Sequence, residues 1–191
     1  MTYHVFYNPH AGNGRGTDAA HKLTALLPND KVQFNDITEI EDYAALFRSL
    51  PDEDRVVIAG GDGTLNRFIN DTASLPLERS IYYYATGSGN DFLTDIGGKA
   101  GDAPRRIDHY LTELPSVYVN GMHRYFLNGI GYGIDGYCCL EGDRQRQTSA
   151  KPVNYTAIAV KGLLFHYKPT SAVITMDGVR HAYDHVWLAP T

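Results

Sequence analysis

The segment from Val56 to Asn70, VVIAGGDGTLNRFIN, joins an apolar, β-branched run to a glycine loop and then to residues with helical spacing. This order predicts a buried strand that stops at the glycines and a helix that begins directly after them. The loop leaves backbone N–H groups, one carboxylate and one hydroxyl at the start of a helix. Such a group of donors and acceptors is typical of a site that binds phosphate and its metal ion.

The first half of the chain repeats this order of strand and helix. Apolar runs predict four strands: Tyr3–Tyr7, Lys31–Asn35, Arg55–Ala59 and Ile81–Ala85. Helical spacing follows the first strand from about Thr17 to Leu27 and the second from Ile40 to Leu50. Strands that alternate with helices favour right-handed crossovers and a parallel sheet. We therefore expect an α/β domain over residues 1–115.

From Ser116 onward the pattern favours antiparallel strands. The predicted strands are Ser116–Asn120, His123–Asn128, Ala172–Met176 and His181–Leu188. Asn-Gly at 120–121 and Asp-Gly at 177–178 are typical hairpin turns. Residues 153–167 have the spacing of a buried helix. Four strands rarely close a β core, so we expect residues 116–191 to form part of a β-rich second domain, and the chain to be truncated at its C-terminus.

Composition excludes several classes of function. Lys and Arg total 17 against 22 Asp and Glu, a net charge of -5 without a basic run, so nucleic-acid binding is not expected. The two cysteines are adjacent and predict no disulfide framework, which favours a cytoplasmic protein. The N-terminus does not have the pattern of a signal peptide, and no apolar stretch approaches the length of a membrane span. Any contact with a membrane would be peripheral.

Three glycine-bearing loops follow predicted strands. The first is NPHAG at 8–12, the second GGDGT at 60–64 and the third TGSGNDF at 86–92. The loops at the carboxyl ends of parallel strands form the ligand crevice of an open α/β sheet. We therefore expect the three loops to converge on one site.

In the second loop, each residue type has a chemical property that a phosphate site needs. Gly61 and Gly63 let the backbone approach a polyphosphate, because glycine has no Cβ in the way. Asp62 would bind Mg²⁺, for which carboxylate oxygens are natural ligands, or accept a proton. Thr64 would donate to a phosphate oxygen. The alternative is an ordinary turn in which Asp62 caps the helix.

Other patterns carry less functional weight. Gly131–Gly136 matches GxGxxG but lies in the antiparallel half, without an acidic residue about twenty positions later, so we do not expect a dinucleotide site. His181 and His185 fall on a predicted strand and do not have the spacing of a zinc site on a helix. The chain also has no GxxxxGK[ST] sequence.

The segments NPHAG, GGDGTLN and ATGSGNDF, in this order and each after a strand, resemble the catalytic domain of the diacylglycerol kinase and sphingosine kinase family. The resemblance runs from Tyr3 to about Asp135 and is strongest to the bacterial lipid kinases of that family. It implies an α/β nucleotide-binding domain followed by a β-sandwich domain, with ATP between them. It also implies transfer of the γ-phosphoryl group of ATP to a hydroxyl of diacylglycerol or a related lipid at a membrane surface.

The resemblance, together with the loop positions, gives the expected site residues. Asp62 is the expected catalytic residue and Mg²⁺ ligand. Thr38 is included because it follows the second strand. The expected ATP-binding residues are Asn8, Pro9, His10, Ala11, Gly12, Thr38, Gly60, Gly61, Asp62, Gly63, Thr64, Leu65, Asn66, Thr86, Gly87, Ser88, Gly89, Asn90 and Asp91.

Two alternatives remain open at the level of the sequence. NAD kinase also has GGDGT, although TGSGNDF is more typical of the lipid kinases. A truncated module that binds nucleotide without catalysis is the second alternative, because the family's later strands, a structural magnesium site and a further acidic residue would follow Thr191. An incomplete sheet would leave an unpaired edge, which favours self-association.

Overall fold

A computed structural model describes residues 1–87, 89–149, 151 and 153–190. The chain forms two compact units, Met1–Asn128 and Gly129–Thr191. None of the helices in the described ranges is both long enough and apolar enough to cross a membrane.

The first unit is built on a five-stranded sheet with the order β2-β1-β3-β4-β5. Its strands are β1 (Thr2–Tyr7), β2 (Lys31–Asp36), β3 (Arg55–Gly60), β4 (Ile81–Ala85) and β5 (Arg105–Arg106). The first four are parallel, and β5 pairs antiparallel with β4. The predicted α/β class and parallel sheet are therefore confirmed.

Short helices connect these strands. They are α1 (Ala11–Gly14), α2 (Gly16–His21), α3 (Leu23–Leu26), α4 (Tyr43–Ser49), α5 (Asp62–Asp71) and α6 (Asp91–Asp95), with 3₁₀ turns at Ile37–Glu39 and Asp108–Tyr110. The helix predicted at residues 17–27 is present as α2 and α3.

Helices cover both faces of the sheet, which is why β3 is a continuous apolar run. Val56 and Ile58 pack with Phe68 of α5 on one face, whereas Val57 packs with Leu23 of α3 on the other. All five side chains are fully buried. The buried core thus lies below the loops at the carboxyl ends of the strands.

A β-hairpin completes the first unit. Its strands β6 (Ser116–Val119) and β7 (Met122–Tyr125) meet at Asn120 and Gly121, whose φ angles of 50° and 80° are those of a type I′ turn. The Asn70 side chain donates to the Tyr125 carbonyl and accepts from its N–H, both at 2.9 Å. The Asn70 side chain thus binds the Tyr125 backbone as a neighbouring strand would. The hairpin belongs with the first unit, and the two units divide after Asn128 rather than at residue 115, where the sequence predicts the boundary.

The second unit contains both helices and strands. Its elements are β8 (Gly131–Gly133), α7 (Ile134–Thr148), α8 (Tyr155–Lys161), a π-helical turn (Gly162–His166), β9 (Thr170–Met176), β10 (Val179–Val186) and β11 (Leu188–Pro190). Strands β9 and β10 form the hairpin predicted at Asp177 and Gly178, whose φ angles are again positive. The strand predicted at 181–188 is interrupted, because β10 pairs with β9 while β11 pairs antiparallel with β8.

The GxGxxG sequence lies at the junction of β8 and α7, and internal packing explains two of its glycines. A Cβ on Gly131 would lie 1.9 Å from the Asp135 carboxylate oxygen. Gly133 has a φ of 94°, and a Cβ there would lie 2.4 Å from the Trp187 carbonyl oxygen. These two glycines thus accommodate residues of the same unit.

Candidate active site

The strand order creates a crevice at the carboxyl ends of β1 and β3. From β1 the chain crosses to β2 on one side, and from β3 it crosses to β4 on the other. The loops after these neighbouring strands therefore diverge, as at the ligand-binding switch point of other open α/β sheets. The first and second glycine loops begin at this point, and the third begins beside them after β4.

Asn8 joins the first loop to the second. Its backbone N–H donates to the Ala59 carbonyl at 3.1 Å, and its side-chain nitrogen donates to the Thr64 hydroxyl oxygen at 2.9 Å. Its side-chain oxygen accepts from the His10 N–H at 2.9 Å and tightens the turn. Because the Thr64 oxygen is an acceptor in this contact, its own O–H is available to donate to a ligand.

Close backbone approach joins the third loop to the other two. A Cβ on Gly87 would lie 2.5 Å from the Gly61 Cα, and one on Gly12 would lie 2.9 Å from the Thr86 carbonyl oxygen. The Thr86 N–H also donates to the Gly60 carbonyl at 2.9 Å. The three loops thus converge, as the sequence predicts.

Gly63 differs from these packed glycines. A Cβ placed on Gly63 would meet no atom within 4 Å among the residues that the structure describes. Its position in the first turn of α5 therefore faces open space. Packing within the chain does not require glycine there, so the small residue leaves room for a ligand.

The Asp62 carboxylate caps a helix that is not its own. One oxygen accepts from the Asp91 N–H at 2.9 Å and the other from the Phe92 N–H at 3.1 Å, at the start of α6. The alternative that Asp62 caps the helix after its own loop is therefore wrong, since Gly61 is the N-cap of α5 and the Asp62 carboxylate binds the start of α6 instead. Each carboxylate oxygen retains a lone pair, which fits a hard cation such as Mg²⁺.

Tyr83 lies under the junction, where the charge of Asp62 affects the pKa of its hydroxyl. Its hydroxyl donates to the Gly60 carbonyl at 3.1 Å from a buried position. Burial raises the pKa of Tyr83 well above its ordinary value, and the Asp62 carboxylate raises it further. Tyr83 therefore remains a neutral hydrogen-bond donor that supports the end of β3.

The third loop contains two buried polar atoms without a hydrogen-bond partner in the described part of the chain, the Thr86 hydroxyl oxygen and the Asn90 side-chain oxygen. Asn90 is 7% exposed and has a left-handed φ of 59°, and its side-chain nitrogen donates to the Gly87 carbonyl at 2.9 Å. Buried polar atoms without partners are costly and uncommon. These two atoms are therefore candidates for contact with a ligand.

The remaining expected residues lie in different surroundings. Pro9, His10 and Ala11 form the partly exposed turn after β1, and Gly89 approaches the Asp62 carboxylate. Asn66 is exposed on α5, and Asp91 is exposed at the first turn of α6. Ser88 lies outside the described residues.

Two expected residues have local structural roles. The Thr38 N–H and hydroxyl both donate to the Asp36 carboxylate, at 2.8 and 2.7 Å, and none of its hydrogen bonds in the described part of the chain reaches the three loops. The Leu65 side chain is fully buried in the core beneath α5. Its position in GGDGTLN is explained by packing.

Two cations beside the loops were not expected from the sequence. Arg15 and Lys22 line a cavity of about 470 Å³ together with Gly12, Asp18, Thr86 and Gly87. The spacing of residues 15, 18 and 22 is a signal that could have identified them, since it places all three on one face of a helix that begins at the first loop.

A cluster of acidic, histidine or cysteine residues that could bind a metal by itself is absent from the described ranges. A divalent ion at this site would therefore need ligands from a phosphate and from water in addition to Asp62. Mg²⁺ is commonly held in this way, by one or two carboxylates and the phosphates of the substrate.

Comparison with known proteins gives the family. The family model described as the diacylglycerol kinase catalytic domain matches residues 2–117. The diacylglycerol kinase of Bacillus subtilis is 24% identical over 184 residues, which are 91% of this chain and 59% of that protein. A crystal structure of a diacylglycerol kinase from Bacillus anthracis shares the fold with a TM-score of 0.55 at 22% identity, over 100% of this chain and 63% of that one.

The chain thus spans about three-fifths of the length of these two relatives. The family match covers more than half of the chain and includes all three glycine loops. The chain belongs to the diacylglycerol kinase catalytic domain family.

Proposed function

We propose that the chain carries the nucleotide site of an ATP-dependent lipid kinase, which transfers the γ-phosphoryl group of ATP to a hydroxyl of diacylglycerol or a related lipid. Membership in the diacylglycerol kinase catalytic domain family supports this proposal. The observation that carries it is the junction of the three glycine loops, where Asp62 of the second loop binds the backbone of the third.

The start of α5 is the part of this junction that best fits phosphate. The first N–H groups of a helix have no partner within it, and those of Asp62 and Gly63 appear in none of the backbone hydrogen bonds between described residues. The N–H groups of Asp91 and Phe92, by contrast, are already bound to Asp62. In this proposal phosphate oxygens contact the start of α5, and the Thr64 and Thr86 hydroxyls donate to them.

Phosphoryl transfer depends mainly on position and on neutralisation of charge. Asp62 is the candidate ligand for Mg²⁺, which when bound would neutralise negative charge on the phosphates. Asp62 is also the candidate carboxylate that orients the lipid hydroxyl. Its bonds to α6 fix its direction, so that the third loop and the carboxylate are held as one unit.

An assay with two acceptors tests the proposal. The chain would be incubated with Mg²⁺ and ATP labelled at the γ-phosphate, with diacylglycerol in mixed micelles or with NAD. Label in the lipid and not in NAD is the expected result, whereas label in NAD supports the NAD kinase alternative. If calorimetry shows ATP binding but neither acceptor is labelled, the chain is a nucleotide-binding module without catalysis.

The proposed function also implies where the chain is located and how it associates. Its lipid substrate requires peripheral contact with a membrane surface, and its free cysteines, Cys138 and Cys139, fit a cytoplasmic location. The hairpin of β9 and β10 is a two-stranded sheet in the described ranges, so its edges would favour association between copies of the chain. Sedimentation as a single monomeric species would contradict this association.

A further inference from the structure

The cavity between α2 and the glycine loops carries positive charge, which the loops themselves lack. Gly12, Thr86 and Gly87 form its loop side, and the side chains of Arg15 and Lys22 contribute two cations on the helix side. Asp18 is the acidic residue in this wall, and the ion pairs of the described residues include neither Arg15 nor Lys22. The positive charge of both side chains is therefore available to a ligand.

The Arg15 side chain is held close to the first loop. Its Nε donates to the Gly12 carbonyl at 3.2 Å. This bond leaves the two terminal nitrogens of the guanidinium unused in the described contacts. Because the planar guanidinium presents parallel N–H groups, it matches two oxygens of one phosphate group.

A second observation points to the same ligand. The Thr86 hydroxyl oxygen is buried without a hydrogen-bond partner among the described residues, and Thr86 lines this cavity. A phosphate oxygen would accept from this hydroxyl. The site also needs positive charge, because the chain is acidic overall and both Asp62 and Asp91 lie at the loop junction.

We infer that this cavity receives the phosphate chain of the nucleotide, with Arg15 as its main cationic contact and Lys22 as a second. This inference rests on the proposed function, since it assigns further binding residues to the same ATP site. Arg15 would neutralise charge on the outer phosphates while the start of α5 binds them from the other side of the junction. Its contribution to affinity would therefore increase with the number of phosphates on the nucleotide.

Calorimetric titrations with ATP, ADP and AMP test the inference on the full chain. Arg15→Gln should weaken ATP binding on the order of tenfold and AMP binding much less, as expected when a hydrogen bond to a charged group is lost. Lys22→Gln should show the same order with a smaller effect, and Arg15→Lys should recover part of the ATP affinity. Arg48→Gln, on the exposed face of α4 and outside this cavity, is the matched control and should change none of the affinities.

Thermal unfolding would confirm that each variant is folded. Equal affinities of the wild type and Arg15→Gln for ATP, or an equal loss for ATP and AMP, would overturn the inference while leaving the proposed function intact. The inference would also be overturned if Arg15→Gln binds ATP as the wild type does but sediments less with phosphatidylglycerol vesicles, because the cavity would then bind a lipid headgroup. If the wild type binds no ATP, the proposed function fails, and this inference fails with it.

Discussion

The Asp62 carboxylate accepts a hydrogen bond from the Asp91 N–H at 2.9 Å, although the two residues follow different strands. Its other oxygen accepts from Phe92, so that one side chain fixes the first turn of α6. The carboxylate that is the candidate metal ligand thus also holds the second and third loops together. Substitutions at Asp62 are expected to change both stability and activity.

Asp62→Ala should lower the free energy of unfolding by about 1 kcal/mol, because it leaves two N–H groups of α6 without their cap. It should also abolish lipid phosphorylation. Asp62→Asn retains an oxygen acceptor and should recover part of the stability without recovering activity. Urea denaturation and the phosphoryl transfer assay measure the two effects.

Asp95→Ala is the matched control for Asp62, because Asp95 is an exposed residue at the end of α6, the helix that the Asp62 side chain caps. It should leave both measurements unchanged. If Asp62→Asn phosphorylates lipid at the wild-type rate, Asp62 has a structural role only.

Gly63→Ala and Gly87→Ala should have opposite effects on stability. A Cβ on Gly63 meets open space, and alanine has the higher helix propensity, so the free energy of unfolding should stay constant or rise by up to about 1 kcal/mol. A Cβ on Gly87 would lie 2.5 Å from the Gly61 Cα, so this variant should be strongly destabilised. Chemical denaturation of both variants checks the prediction, which a stable Gly87→Ala chain would contradict.

The hydrogen bond between Asn8 and Thr64 should contribute to the coupling of the first two loops. Thr64→Val preserves the side-chain shape and removes the oxygen that accepts from the Asn8 side chain. The free energy of unfolding should fall by about 1 kcal/mol, and ATP should bind more weakly. Thr64→Ser retains the hydroxyl and should recover most of the affinity in calorimetry. Equal ATP affinities for the valine and serine variants would exclude a role for this hydroxyl.

Asp54 should make the stability of the first unit dependent on pH. Its carboxylate accepts from the His4 ring nitrogen at 2.9 Å and from the Thr2 N–H at 2.6 Å, next to the buried start of β1. The hydrogen bond from His4 lowers the pKa of Asp54 below its ordinary value of 3.8, and that from Thr2 lowers it further. A carboxyl whose pKa is lower in the folded chain stabilises the fold above its unfolded pKa, and this contribution is lost as the pH falls through the folded pKa.

The difference in unfolding free energy between the wild type and Asp54→Asn should therefore be constant from neutral pH to about pH 5 and shrink below about pH 4. Denaturation curves over this range measure it. Asp52→Asn is the control, because the Asp52 side chain is exposed. A difference between wild type and Asp54→Asn that does not depend on pH would contradict the assignment.

The sheet and the loop positions could be predicted because their signals are local. The run from Val56 to Ala59 is apolar because helices cover both faces of the sheet, and the glycines after it end the strand. Helix α7 was not predicted, because its sequence has two glycines and little apolar periodicity. One of them, Gly142, is explained only by its neighbour in space, since a Cβ there would lie 2.6 Å from the Tyr155 ring.

The site was harder to predict where it depends on contacts between distant residues. The residue types at the junction follow from the sequence, but the capping of α6 by Asp62 needs two loops to meet. The attachment of the β6–β7 hairpin through Asn70 likewise depends on a long-range contact, and it moves the boundary between the units.

The proposed function requires the loop junction to bind ATP and to serve phosphoryl transfer to a lipid hydroxyl. Its most direct test measures the transfer of label from the γ-phosphate of ATP to diacylglycerol by the wild type and by Gly63→Ala, the variant expected to fold normally and to obstruct the ligand space. The wild type should produce labelled lipid and Gly63→Ala should produce little or none. Equal labelling by the two chains, or no labelled lipid from the wild type, would contradict this function.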